Sequence, residues 1–440
     1  MQEVKTSSTI DIQKQKLGFG SIVLMGINGI IGTGIFLLPS SGMKLFGPAS
    51  ILSLLLDGAL IFCIGLCFAE CSSLFRKNGG PYLYARSAFG NFVGYEVGFM
   101  TWVVRMIAEA TLYVGFATAL AGMFPSLNNP LAKNVLVTIL GLVLMSLNLA
   151  GARLTAFLNN VVTVGKLIPM ILVGLLGLFF LHPANFTPFF VPGKATMSSF
   201  GQTTMTLFYV FTGFEGLVVA AGEMKNPKKN LPKALIMAMG AVVTIYLLIM
   251  IACIGVLGSG LVNSTVPLQD AMSKMVGSWG GALVAAGTLL SIGGICVSSS
   301  FITPRSGQAL AEHKMMPAVL AKKNRFGAPY VAIIISTLVG LLLAYSGTFA
   351  KLAMISAISR FVQYIPTCLA VLVFRRTMKD KERTFKVPFG PVIPVIAIVV
   401  SLWLLSNTPS ANLLWGFGAL LIAIPFYFIT GRHADNDFGE

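Results

Sequence analysis

In the first apolar stretch of the chain, glycine recurs every two or three residues. Residues 26–36 read GINGIIGTGIF, and four of the nine positions from Gly26 to Gly34 are glycine. Glycine weakens a helix, although in a membrane it also lets neighbouring helices approach closely. The two glycines that flank Thr33 favour a break in the helix at 32–34, where backbone N–H and C=O groups leave the helical hydrogen-bond ladder and face a cavity.

A second apolar stretch carries a comparable interruption. Residues 209–216 read YVFTGFEG and place the carboxylate of Glu215 at mid-membrane depth. The two interrupted stretches begin two consecutive halves of the chain, residues 18–181 and 199–374. Inverted-repeat transporters place their discontinuous helices at these positions.

The composition indicates a membrane protein. Only 10% of the 440 residues are charged and 55% are hydrophobic, whereas about 25% of residues are charged in soluble domains. A soluble enzyme is thereby excluded. We predict an all-α protein with twelve transmembrane helices, a 5+5 inverted repeat and a peripheral pair at 388–431, flanked by tails at 1–17 and 432–440. The apolar segments lie near 18–43, 48–72, 90–122, 134–151, 156–181, 199–222, 233–258, 279–304, 329–346, 350–374, 388–406 and 411–431.

Loops rich in basic residues alternate along the chain with loops that are poor in them, as twelve membrane crossings require. Of 31 Lys and Arg residues, 23 fall on the side of the two termini, five on the opposite side, and three within spans. The positive-inside rule therefore predicts cytoplasmic termini. The net charge of +16 reflects this topology and not a nucleic-acid partner.

The paired breaks suit a zwitterion. The half-helix that begins after Gly34 offers unpaired N–H groups and a positive dipole end to a carboxylate. Carbonyl groups around 28–31, and near Phe211, would accept hydrogen bonds from an ammonium group. An amino acid satisfies both requirements.

Four motifs carry a resemblance to a known family. They are GIIGTGIF at 29–36, GGPYLY at 79–84, FTGFE at 211–215 and GEMKNPKKNLP at 222–232. In order and spacing they are similar to signatures of the amino acid–polyamine–organocation superfamily. Within it, the chain resembles bacterial permeases and exchangers of the arginine/agmatine and serine/threonine type. The resemblance implies the leucine-transporter fold, with discontinuous helices one and six, and amino-acid transport by alternating access.

The resemblance also implies a set of substrate-binding residues. The matching positions in span one hold the substrate carboxylate, and those in span six lie near its amino group. Tyr209 matches an aromatic gate over the substrate, although an aromatic residue that only packs between helices remains an alternative. The predicted residues are Ile30, Ile31, Thr33, Gly34, Tyr209, Phe211 and Gly213.

Lys166 lies about ten residues into span five, where an ammonium group is costly. It resembles the lysine that replaces the sodium ion in sodium-independent relatives, contacting the span-one break and a hydroxyl of span eight. We predict that Ser299 is this hydroxyl. Two alternatives stay open: a purely structural ammonium, and a group that exchanges a proton during transport.

The remaining charges within spans are candidates for coupling or specificity. Glu215 resembles a glutamate linked to pH response in arginine/agmatine exchangers. Arg105 and Glu109 are four residues apart, so they share a helix face and can neutralise one another. Alternatively, Arg105 or Arg360 binds an acidic substrate side chain, or the glutamates bind a basic one.

The sequence thus predicts a sodium-independent secondary transporter of amino acids, most simply an exchanger, in the cell membrane. Proton-coupled symport, or exchange against a decarboxylated amine, is the alternative. A channel fits the two paired breaks less well, and no clustered catalytic set favours an enzyme. We expect a small-molecule substrate and the lipid bilayer as partners, no nucleic acid, no cofactor or metal, and a monomer or homodimer.

Overall fold

The computed structural model describes residues 18–75, 80–151, 156–219, 224 and 226–429. The two predicted tails lie outside the described residues. So do Gly79 of the second motif and residues 222, 223 and 225 of the fourth.

All regular secondary structure in these described ranges is helical. The α-helices are α1 (Phe19–Ile30), α2 (Gly34–Leu37), α3 (Pro39–Phe46), α4 (Ser50–Leu74), α5 (Gly80–Phe89), α6 (Asn91–Met123), α7 (Pro130–Leu149), α8 (Ala156–Gly177), α9 (Met197–Phe208), α10 (Glu215–Val219), α11 (Pro227–Leu257), α12 (Pro267–Val276), α13 (Ser278–Glu312), α14 (Tyr330–Tyr345), α15 (Phe349–Thr377), α16 (Val392–Ser406) and α17 (Ser410–Ile429).

Seven helical stretches in the described part are long and apolar enough to cross a bilayer. Four shorter apolar helices accompany them: Phe19–Ile30, Gly165–Phe180, Tyr330–Tyr345 and Val392–Ser406. Large apolar side chains such as Leu131, Leu342 and Leu421 are more than 60% exposed, as expected of surfaces that face lipid. The prediction of an all-α, multi-pass membrane protein is confirmed, while the count of twelve spans and the inverted repeat stay predictions.

Both glycine-containing stretches interrupt their helices. α1 ends at Ile30, Ile31 is extended (φ −71°, ψ 95°), and helical structure resumes at Gly34. Leu38 keeps a helical backbone and donates to the Gly34 carbonyl at 2.8 Å, so α2 continues directly into α3. α9 ends at Phe208, and one 3-10 turn and the extended residue Thr212 precede α10.

The interrupted helices lie within a frame of long, continuous ones. α6 packs along α13 and α15, and α11 packs along α1, α4 and α8. Small residues allow these close contacts: a Cβ at Gly65 of α4 would lie 2.4 Å from the methyl group of Met239 on α11. This frame holds the two breaks against each other.

Candidate functional site

The two breaks touch backbone to backbone. Gly213 has φ +112°, and a Cβ on it would lie 2.2 Å from the carbonyl oxygen of Gly29. A side chain at this position would be strained by its backbone conformation and would also collide with α1. Gly213 is therefore required for the contact between the breaks.

A second contact joins Gly34, the first residue of α2, to the 3-10 turn that follows α9. A Cβ on Gly34 would lie 3.0 Å from the ring of Tyr209 and 2.9 Å from a methyl group of Val210. The hydroxyls of Thr33 and Tyr209 are 3.2 Å apart, within hydrogen-bond distance. The ring of Phe349 meets that of Tyr209 edge-on, with centroids 6.1 Å apart. Tyr209 thus covers the N-terminal end of α2, and its side chain is only 7% exposed.

Lys166 of α8 reaches the break in the first span. Its ammonium donates to the carbonyl oxygens of Asn28 at 2.8 Å and Ile31 at 2.7 Å. The side chain is fully buried. These carbonyls lie at the C-terminal end of α1, where the helix dipole favours a cation.

The neighbouring carbonyl groups of this break also face protein. Tyr246 of α11 donates its hydroxyl to the Ile30 carbonyl at 3.3 Å, and its ring lies 5.3 Å from that of Phe211. The Gly29 carbonyl faces Gly213. The carbonyl oxygens of 28–31 were expected to accept from a substrate ammonium group, but in this structure protein donors and the second break surround them.

Glu215 begins α10 and forms an ion pair with Arg360 of α15. Its other oxygen accepts from the Gly213 N–H at 3.0 Å and from the Tyr364 hydroxyl at 3.2 Å. The side chains of Glu215 and Arg360 are 11% and 12% exposed. Arg360 therefore neutralises Glu215 beside the second break, and its Nε has no hydrogen-bond partner in the described residues.

Comparison with known proteins identifies the family. The amino acid permease family model matches residues 17–430. A transporter of Mycobacterium tuberculosis without an assigned substrate is 33% identical over 421 residues, covering 88% of this chain and 86% of that protein. The chain belongs to the amino acid permease family. Family membership confirms the resemblance stated above and makes this permease a membrane-embedded transporter of amino acids, not an enzyme.

Two relatives of the permease carry more specific names. The serine/threonine exchanger SteT of Bacillus subtilis is 29% identical over 409 residues, covering 90% of this chain and 91% of the relative. The branched-chain amino acid permease BcaP of Bacillus subtilis is 26% identical over 443 residues, covering 95% and 93% of the two chains.

Arg105 and Glu109 of α6 do not form the ion pair that their spacing favours. Glu109 is 1% exposed, and one of its oxygens accepts from the hydroxyl of Tyr113, one turn along the helix. Arg105 lies within electrostatic reach of Arg360 on α15. The two side chains therefore leave α6 toward different neighbours, although both point into the permease.

Ser299 receives no hydrogen bond from Lys166, whose two bonds go to backbone carbonyls. Gly287 of α13 packs tightly against α8, since a Cβ on it would be 2.3 Å from Pro169. Ser291, one turn from Gly287, is fully buried, and its hydroxyl has no partner in the described residues. Ser299 lies about 12 Å further along the helix axis, eight residues at 1.5 Å each.

Sequence reasoning missed three hydroxyl donors at the breaks. Tyr113, Tyr246 and Tyr364 bond to Glu109, Ile30 and Glu215. For Tyr113 a signal was present, because it lies four residues after Glu109 on the same helix. Tyr364 had none, because its partner is 149 residues away. Tyr246 had no such signal, because its partner is 216 residues away.

Proposed function

We propose that this permease is a sodium-independent exchanger of amino acids that works by alternating access. The observation that carries the proposal is the pair of hydrogen bonds from the Lys166 ammonium to the carbonyls of Asn28 and Ile31. In sodium-coupled carriers of this architecture, carbonyls at the end of an unwound half-helix coordinate the ion. A covalently attached ammonium supplies the positive charge at that place without an ion.

The substrate site lies at the contact between the two breaks. The N-terminal end of the continuous α2–α3 helix offers N–H groups, and Thr33, at its N-cap position, makes no side-chain capping bond. A substrate carboxylate at this end would be stabilised by these N–H groups and by the helix dipole. Tyr209 covers this end, which is the position a gate requires. The proposed substrate-binding residues are Ile30, Ile31, Thr33, Gly34, Tyr209, Phe211 and Gly213.

The proposed architecture has twelve spans, with inverted repeats at 18–181 and 199–374, a peripheral pair at 388–431, and cytoplasmic termini in the cell membrane. The distribution of basic residues supports this orientation. The seven long and four shorter apolar helices, together with the interrupted α9–α10 stretch, supply the required segments.

Exchange is supported by the serine/threonine exchanger among the relatives. The test uses purified permease in liposomes loaded with unlabelled amino acid, and uptake of labelled serine, leucine, arginine or glutamate. Uptake should require internal amino acid and should be unchanged when choline replaces sodium. Strong sodium stimulation, or equal uptake into empty liposomes, would contradict the proposal.

Proton-coupled symport is the second candidate, because two titratable groups, Lys166 and Glu215, bond directly to the breaks. The same liposomes separate it from exchange. An inward proton gradient would then drive accumulation into empty liposomes, and a protonophore would abolish it. A decarboxylated amine inside the liposomes tests amine exchange in the same way.

A further inference from the structure

The carbonyls of the first break face protein, so at the breaks a substrate ammonium group is left with the carbonyls near Phe211. Glu215 is paired with Arg360. A substrate ammonium that moves away from the breaks needs another acceptor, because an unpaired charge is costly inside a membrane.

We propose that Arg105 and Glu109 form a second subsite for the zwitterion along the transport path, and that they select amino acids with uncharged side chains. Arg105 binds the substrate carboxylate and Glu109 binds its ammonium group. This inference rests on the transport function proposed above.

The first support is that both side chains have unused hydrogen-bonding capacity. The Arg105 Nε and the second carboxylate oxygen of Glu109 are buried and make no hydrogen bond of normal length in the described residues, and the Thr303 hydroxyl of α13, likewise unbonded, lies near Glu109. Buried charged groups are normally paired, since leaving one unpaired costs several kcal/mol. Two opposite charges on one helix, each with a free atom, fit a ligand that carries both signs.

The second support is the local balance of charge. Five charged side chains lie at the breaks and on the adjoining part of α6: Lys166, Arg105, Glu109, Glu215 and Arg360. Lys166 is bonded to the carbonyls at the end of α1. Arg360 and Glu215 neutralise each other, so Arg105 and Glu109 are the positive and the negative group left without a partner among the five. A zwitterion with an uncharged side chain matches this remainder, whereas an acidic or basic substrate would leave one charge unbalanced.

The third support is position. A Cβ on Gly115 of α6 would lie 3.3 Å from the methyl group of Thr33, so this level of α6 adjoins the first break. Glu109 and Arg105 lie about 9 Å and about 15 Å further along the helix axis at 1.5 Å per residue. They lie toward Asn91, the end of α6 that the proposed orientation places at the cytoplasmic face.

The spacing also fits the ligand. Side chains four residues apart on a helix have Cβ atoms about 5–6 Å apart. A substrate lying against this part of α6 would therefore meet Glu109 on the side of Tyr113 and Arg105 on the side of Arg360. Guanidinium binds a carboxylate through two parallel hydrogen bonds, which fixes which end of the substrate meets Arg105.

The test measures exchange in liposomes of uniform orientation, with half-saturation determined separately at the two faces. The probe is L-serine or L-leucine, whichever is exchanged faster. Its decarboxylated amine and its deaminated acid serve as inhibitors. The variants are Arg105→Gln, Glu109→Gln and the exchanged pair Arg105→Glu with Glu109→Arg.

Each single variant should raise half-saturation at the face nearer Asn91 by about tenfold, equivalent to about 1.4 kcal/mol, and leave the opposite face unchanged. Arg105→Gln should not weaken inhibition by the amine, and Glu109→Gln should not weaken inhibition by the acid. The exchanged pair should recover part of the loss, because it restores both charges. Unchanged half-saturation at the opposite face shows that the variants are folded.

Three results would overturn the inference. They are unchanged half-saturation at both faces, equal losses at both faces, and loss of inhibition by both analogues in each single variant. Exchange of arginine or glutamate with no exchange of serine or leucine would also overturn it, while leaving the proposed exchange function intact. Absence of exchange for all four amino acids would instead refute the proposed function.

Discussion

The two breaks are stabilised in different ways. In the first span, the carbonyls of Asn28, Ile30 and Ile31 accept from Lys166 and Tyr246, which lie 135 to 216 residues away. In the second break, the donors are local. The Tyr209 carbonyl accepts from the N–H and the hydroxyl of Thr212 at 3.2 and 2.8 Å, and the Gly213 N–H donates to Glu215.

The first break therefore depends on hydrogen bonds from distant helices, whereas the backbone bonds of the second break come from residues next to it in the sequence. The donors of the first break belong to α8 and α11, so any movement of those helices also moves its hydrogen-bond partners. The second break has more bonds within its own residues, although Glu215, which accepts from the Gly213 N–H, is also bonded to Arg360 and Tyr364 of α15. We therefore expect a movement of α8 or α11 to reach the proposed substrate site mainly through the first break.

The largest effect is expected at the contact between the breaks, which Gly213→Ala should disrupt. The new Cβ would lie 2.2 Å from the Gly29 oxygen at φ +112°, and such a backbone strain alone costs about 1–3 kcal/mol. We expect exchange to fall by at least about tenfold, since 1.4 kcal/mol corresponds to a factor of ten. Liposome exchange measures this loss.

Gly216→Ala is the matched control. Gly216 lies three residues further on, and a Cβ there would meet nothing within 4 Å. This variant should keep its exchange rate. Equal losses in both variants would show that an added methyl group anywhere in 213–216 impairs exchange, and the specific contact with Gly29 would lose its support.

The second-largest effect is expected from Lys166→Met, which alters only the first break. The change removes the donor to two buried carbonyls, and each unsatisfied group costs about 1–3 kcal/mol. We expect exchange to be severely slowed and the apparent melting temperature to fall. Fluorescence-detected size-exclusion chromatography after heating measures the second quantity.

Lys133→Met is the control for loss of a lysine charge. Lys133 is half-buried at the start of α7 and donates to the Asn128 side chain at 2.8 Å in an exposed hydrogen bond. It should behave as the unmodified permease. If Lys166→Met exchanged at the unmodified rate, neither the sodium-replacing role of the ammonium nor its part in shaping the break could be retained.

The local features could be predicted from sequence and the long-range ones could not. Glycine density locates the first break, and the carboxylate in an apolar stretch locates the second, because both signals lie within a few residues. The pairing of Glu215 with Arg360 joins residues 145 positions apart, and no periodicity reports such a contact. The family resemblance implies the position of Lys166. Which hydroxyl of α13 faces it depends on how α13 is aligned along α8, and the sequence alone does not give this alignment for Ser299.

The spacing rule failed at Arg105 and Glu109 for a related reason. Four-residue spacing indicates that two side chains can meet, but it does not include competing partners. Tyr113 offers its hydroxyl to Glu109 from the same helix. The same four-residue spacing relates Glu109 to Tyr113, a pair that sequence reasoning did not consider.

The smallest effects are expected from two variants that each remove one hydroxyl group: Tyr246→Phe at the first break and Thr212→Val at the second. Each removes one hydrogen bond, worth about 0.5–1.5 kcal/mol, and keeps the shape of the side chain. The Tyr209 carbonyl retains the Thr212 N–H in the second variant, so its break should remain intact. Tyr246→Phe leaves the Ile30 carbonyl without its donor from α11, so it should slow exchange about threefold to tenfold.

Thermal stability and exchange rate, measured on the same two variants, decide whether the two breaks really differ. Thr212→Val should lower the melting temperature slightly and leave exchange nearly unchanged. Tyr246→Phe should slow exchange more than its loss of stability explains, because α11 then no longer holds the break. If the two variants slowed exchange equally, hydrogen bonds within the second break would matter for transport as much as those between helices.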